Sequence, residues 1–339
     1  MLKFLLDNGA LVDLENDEGE TPLFTAVGYD NTFGVVRELL RRGANVNVRS
    51  CNNSTPLHQA ATENKGYIVK LLLNNGANIA TKRRHYIATA LHTCETIANV
   101  RLLLSRGVDV DAQDSQGQTA LHVFAKSREY CEIVTYLVEN GCDVNILDSE
   151  GFTVLHYSAT APISWETRPL RTLLDHPSTN RNAQNHHGCT ALHSSILRLK
   201  WKKSIGTLEE QGILDRITTM CRGGVALDIQ NNDGKTALHL AAEMAPDSIV
   251  ELLVKSGASL TAKDNSNKTP FEIAASKSRS ESIGMLLLPD GQPAQGSHRN
   301  DRGDTLSRKQ SQLSSIDNPP PTPKRRRINQ SEPEIEHRN

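Results

Sequence analysis

Twelve histidines and six cysteines have the widest chemical repertoire in this 339-residue sequence, and their placing sets the first limits on what it does. Six of the histidines, His58, His92, His122, His156, His193 and His239, each close a four-residue box that opens with threonine. An imidazole so placed could be a general base, a metal ligand or a hydrogen-bonded strut, and the box alone leaves all three open. His186 and His187 are adjacent, but neighbouring side chains point apart and no two further ligands stand at a fitting spacing, so no metal is expected there. Cys51, Cys94, Cys131, Cys142, Cys189 and Cys221 are scattered without a Cys-x-x-Cys pair, which predicts reduced, mostly packed thiols in an intracellular protein. The sequence shows no Gly-rich phosphate loop, no Gly-x-Ser-x-Gly elbow and no paired-carboxylate segment outside its repeats. No catalytic residue and no cofactor is expected.

The box recurs, and its recurrence identifies the elements that carry it. Copies start at Thr21, Thr55, Thr89, Thr119, Thr153, Thr190, Thr236 and Thr269, separated by 34, 34, 30, 34, 37, 46 and 33 residues. That is the period of stacked two-helix units. The threonine can cap the first helical N–H groups, and the Pro or Ala after it suits a first turn, so each box starts a helix. A second helix follows, marked by a leucine stripe as in Ile68-Val69-Lys70-Leu71-Leu72-Leu73 and closed by a glycine such as Gly76. Because each such unit touches only its neighbours, length is no guide to domain count. With aromatics at 4%, the expected core is Leu, Ile, Val and Ala, closely packed.

In chain order, residues 1–20 read as a lone second helix over Met1–Ala10 and a connector. Residues 21–288 read as eight units, and residues 289–339 as a disordered tail rich in Pro, Ser and charge. The Thr89 unit is about one helical turn short. The Thr153 unit is lengthened between its helices through Trp165, and the Thr190 unit inserts Trp201 and Leu208-Glu209-Glu210 before a second helix expected at Ile213–Cys221. The connector Lys82-Arg83-Arg84-His85-Tyr86-Ile87 replaces the usual Asp/Asn-Gly turn, and Glu272 replaces the box histidine in a polar last unit. Formal net charge is −1, so the repeats are no polyanion binder by charge alone. Nothing resembles a signal peptide, and no apolar run approaches the ~20 residues of a membrane span.

Taken together, the Gly-x-Thr-Pro/Ala-Leu-His boxes, the paired alanines, the Ile-Val-x-Leu-Leu-Leu helices and the Gly-Ala-Asn-Val-Asn exits resemble the ankyrin repeat family over residues 1–288. The resemblance implies an all-α solenoid of stacked helix-turn-helix units, with hairpin-like connectors at right angles and a concave binding surface. It also implies that the six box histidines tie neighbouring connectors by hydrogen bonds, which makes them structural; the pattern departs at Phe24 and Glu272.

The expected function is a protein–protein interaction scaffold or adaptor without catalytic activity, binding one or more unidentified proteins, no membrane and no nucleic acid through its repeats. A nuclear regulatory protein holding a transcription or chromatin factor is the alternative, and a regulatory fragment of a larger enzyme comes last. Candidate partner contacts are Arg83, Arg84, His85 and Tyr86 in the atypical connector, because Arg and Tyr often dominate interface energies, and Trp165 and Trp201 in the two insertions. In the tail, Lys324, Arg325, Arg326 and Arg327 resemble a nuclear import signal, and Thr322 before Pro323 fits a proline-directed phosphorylation site. The expected location is intracellular, cytoplasmic or nuclear or both.

Overall fold

The computed structural model of the chain describes residues 1–83, 88–161, 167–201, 207–279 and 282, with the backbone alone at 128, 200, 201 and 207–209. All of them belong to one compact unit, Met1–Gly296. The expected tail, with its boundary at 289, lies outside the described residues.

Among the described residues every regular element is helical. A lone helix α1 (Leu2–Asp7) is followed by the pair α2 (Pro22–Gly28) and α3 (Phe33–Arg41), then by α4 (Pro56–Thr62) and α5 (Gly66–Asn74). In the third unit a single 3-10 turn (Ala90–Thr93) stands where the first helix should be, before α6 (Ile97–Ser105), which is where the missing helical turn has gone. The pairs α7 (Ala120–Phe124) and α8 (Cys131–Glu139), α9 (Val154–Thr160) and α10 (Arg168–Asp175), α11 (Ala191–Leu197) and α12 (Thr207–Arg222), and α13 (Ala237–Met244) and α14 (Asp247–Lys255) follow, and α15 (Pro270–Ser276) opens the last unit. Helix α12 corrects the sequence reading. It starts six residues before Ile213, so Leu208-Glu209-Glu210 is its first turn and not an insertion. Thr-Leu-Glu-Glu-Gln has ample helix propensity, and Glu210 accepts a hydrogen bond from Ser248 of α14, which anchors the added turn.

First helices pack in one file, α2 on α4, α9 on α11 and α13 on α15, and second helices in another, α3 on α5, α5 on α6 and α8 on α10. Between the files runs one continuous core. It takes the box leucines Leu23, Leu57, Leu91, Leu121, Leu155, Leu192 and Leu238 from the first helices and pairs such as Val69/Leu72 and Val100/Leu103 from the second. Ala60/Ala61 and Ala241/Ala242 are fully buried and let the helices approach closely. Phe124 is also buried, an aromatic addition to an otherwise aliphatic core.

The box histidines hold two jobs at once. In all six boxes from Thr55 to Thr236, the ring Nδ1 accepts the threonine backbone N–H at 3.1–3.3 Å and lies 2.8–2.9 Å from the threonine Oγ1. The opposite nitrogen, Nε2, reaches a backbone carbonyl of the following connector at 3.0–3.2 Å: Ala88, Gln118, Ile146, Cys189, Lys235 and Lys268 in turn. One neutral tautomer, protonated at Nε2, satisfies every bond. At Thr269 the Glu272 carboxylate accepts the same N–H at 2.7 Å and, among the described residues, makes no link to another connector, and at Thr21 the threonine oxygen caps the helix.

Candidate protein-binding groove

The groove runs between the first helices and the connectors, and the connectors are built by one local device. Asp114, Asp148, Asn185, Asn231 and Asp264 each accept, through Oδ1, the N–H groups two and four residues on, at 2.8–3.0 Å. Such Asx turns mimic a backbone turn and tolerate little variation at their first residue. Successive turns from the fourth connector to the eighth then bond backbone to backbone: Ser149 to Gln116, His186 to Glu150, Asn232 to His187 and Asn265 to Asp233, at 2.8–3.1 Å. The approach is so close that a Cβ on Gly234, itself at φ +72°, would stand 2.6 Å from the Asn265 nitrogen.

Connector three breaks this rule. Arg83 stands where the Asx residue should be, and its N–H closes the turn on Ala88, five residues on, where the other turns close on the fourth. Beside it opens a cleft of about 400 Å³ lined by Arg83, His92, Asp114, Gln118, Val123 and Lys126. Two of its lining residues, Gln118 and Lys126, belong to a chain of polar side chains fixed in place by hydrogen bonds. Lys126 donates to Gln118 Oε1 (2.6 Å), Gln118 Nε2 donates to the Tyr157 hydroxyl (3.0 Å), and that hydroxyl donates to Asp148 Oδ2 (2.5 Å). The Lys126 ammonium lies 4.6 Å from the centre of the Tyr157 ring, and Phe152 packs on the same ring. Burial pushes the Lys126 pKa down, and burial together with the Asp148 bond pushes Tyr157 up, so the tyrosine stays a donor. A second cleft, farther along, has Leu240 and Met244 on its floor and the Lys235–Glu243 ion pair (2.6 Å) at its rim.

Of the residues singled out by sequence, Arg83 lines the first cleft. Arg84, His85, Tyr86, Trp165, Thr322, Lys324, Arg325, Arg326 and Arg327 lie outside the described residues, as does the side chain of Trp201, whose backbone ends the 3-10 turn Arg198–Trp201. Tyr157, Gln118, Lys126 and Asp148 were missed. For Tyr157 a signal was present: the residue just after the box histidine varies from unit to unit, and at Gln59, Val123 and Leu240 it lines a cleft. His186 and His187 sit in connector six, where both backbone N–H groups are used. Cys94 and Cys142 are buried thiols pushed up to about 12 by desolvation, which leaves them without thiolate character at neutral pH. Among the described residues no helix is long and apolar enough to cross a membrane.

A family model described as Ankyrin repeats (3 copies) matches residues 1–83, 86–164 and 209–295. The chain is similar to the nuclear factor NF-kappa-B p105 subunit of Gallus gallus, 34% identical over 119 residues that make up 33% of this chain and 12% of that one. It is similar to the B-cell lymphoma 3 protein homolog of Mus musculus, 29% identical over 242 residues, 68% of this chain and 50% of that one. A crystal structure of EF0377, an ankyrin repeat protein, matches with a TM-score of 0.48 and 26% identity, over 57% of this chain and 92% of that one. The chain thus spans 12% to 50% of the length of these two curated relatives.

Proposed function

The chain belongs to the ankyrin repeat family, and from that premise we propose that it is a scaffold or adaptor without catalysis of its own, holding a protein partner in the groove at connectors three and four. The observation that carries this reading is the cleft lined by Arg83, Gln118 and Lys126, in which Gln118 and Lys126 are fixed by a chain of hydrogen bonds that continues to Tyr157 and Asp148. Polar groups already locked by their neighbours lose little freedom when a partner arrives, which favours affinity. A photoreactive residue at the exposed Gln116 should crosslink a discrete protein in cells, and Arg83→Glu with Lys126→Glu should abolish that product. Equal crosslinking from a site at Lys255, at the far end of the stack, would reject the groove as the binding site.

A second reading, a nuclear regulatory protein, draws on the similarity to a nuclear factor subunit together with the basic run Lys324–Arg327. Replacing Lys324, Arg325, Arg326 and Arg327 by Ala should move the full chain out of the nucleus. An unchanged distribution would leave the scaffold reading standing alone.

A further inference from the structure

The second helices of the first three units each bury a valine and expose the residue after it. Arg37 follows Val36, Lys70 follows Val69 and Arg101 follows Val100, so three successive repeats present one exposed cation each at the same register. Packed helices stand ~8–10 Å apart, which sets the spacing of this row. Helices α3, α5 and α6 contain a single carboxylate, Glu38, and it is buried beneath Arg41 and Arg42, which hold it at 2.8–3.1 Å. No exposed acid on these helices offsets the row. The other acids of this end of the chain stand off the row: Asp13, Glu15, Asp17, Glu18 and Glu20 on the first connector, Asp7 on α1, where Arg42 holds it, and Asp30, Glu63 and Glu95 in the turns between the helices of a pair.

The cations are also partly preset. The Arg101 guanidinium lies 4.9 Å from the centre of the Tyr136 ring, and that of Arg37 lies 5.9 Å from Phe33. Phe33 meets Tyr67 edge-on at 5.6 Å, and both rings remain 38% and 51% exposed. A guanidinium resting on a ring has given up rotamer freedom before any partner arrives.

We propose that this outer row is a second docking surface, taking an acidic segment of a partner protein that carries an apolar side chain beside its carboxylates. Carboxylates seven residues apart on a helix recur every ~10 Å, the spacing of the row. The exposed Phe33–Tyr67 pair gives the apolar residue a place to pack. A nucleic acid fits less well, because three cations in single file neutralise few phosphates. Thr135 interrupts the register in the fourth repeat, Arg171 restores a single cation in the fifth, and Glu251 reverses the sign in the seventh, so the uninterrupted row belongs to the N-terminal repeats. It lies on the helix file away from the groove and does not depend on the groove being occupied.

The test uses the full chain and a fluorescein-labelled peptide of Glu, Leu and Phe, with duplex DNA as a second probe, followed by anisotropy. Arg37→Glu, Lys70→Glu and Arg101→Glu combined should weaken peptide binding roughly tenfold or more, as three exposed ion pairs would. Reversing Arg222, Lys255 and Lys263, equally exposed but elsewhere, should change it less than about twofold, and the Gln triple at positions 37, 70 and 101 guards against misfolding of the Glu triple. A folded row variant, Glu or Gln, that binds the peptide as the parent does overturns the proposal. Tighter binding of DNA than of peptide also overturns it, in favour of a nucleic-acid surface.

Discussion

The histidine that caps its own helix and reaches the next connector must be neutral to do both. Burial lowers its pKa to about 4 at His58 and His122, and lowers it likewise at His92, His156, His193 and His239. In the unfolded chain these rings protonate near pH 6.5, so between that pH and about 4 the unfolded state binds more protons. Their contribution is therefore complete above about pH 6.5 and is lost as pH falls toward 4. Thermal melts should show Tm flat from neutral pH to the upper edge of this window and falling steeply within it; a Tm independent of pH across it would contradict the neutral tautomer. Gly234→Ala acts at the same scale. It must fit a Cβ against the Asn265 backbone at positive φ, and a loss of ~2 kcal/mol or more by denaturant titration is expected, against a few tenths at an unconstrained exposed glycine. The box residues were readable from sequence, but the doubled role of the ring was not, because a cap formed by a histidine Nδ1 has no propensity signature distinct from that of any short polar residue.

Helices were legible wherever leucine spacing and a terminal glycine agreed, and less so where a helix end is set by a distant partner. The start of α12 is of the second kind, since the Glu210–Ser248 bond joins residues 38 apart in sequence. The 3-10 turn at Ala90–Thr93 was visible only as a shortened repeat. Helix α1 is the weakest element: it has the leucine stripe of a second helix but buries no residue, and Phe4 and Leu5 remain 66% and 48% exposed. Hydrogen exchange should find residues 1–10 far less protected than residues 68–73, where Ile68, Val69 and Leu72 are fully buried. Comparable protection in a monomer would show that α1 is held by something other than burial. The groove elements were half legible. Connector three announced itself by composition, whereas the Gln118–Tyr157 bond depends on how the first helix of the fifth unit meets the fourth connector, 39 residues away, which no local pattern encodes.

At the scale of the whole stack, stability is a sum of repeats and of the interfaces between neighbours. The segment carrying Trp201 joins α11 to α12 in the chain, and we expect Trp201→Ala to change Tm little and partner capture more; a large fall in Tm with capture intact would place the tryptophan in the fold instead. The linking imidazoles carry one more consequence. Each Nε2 proton sits at one junction between successive units and is shielded from solvent while that junction is closed. Six such protons, resolved separately by nitrogen-edited NMR, form a positional record along the chain. As denaturant is added, the order in which their signals vanish gives the direction in which the stack unzips, one junction at a time.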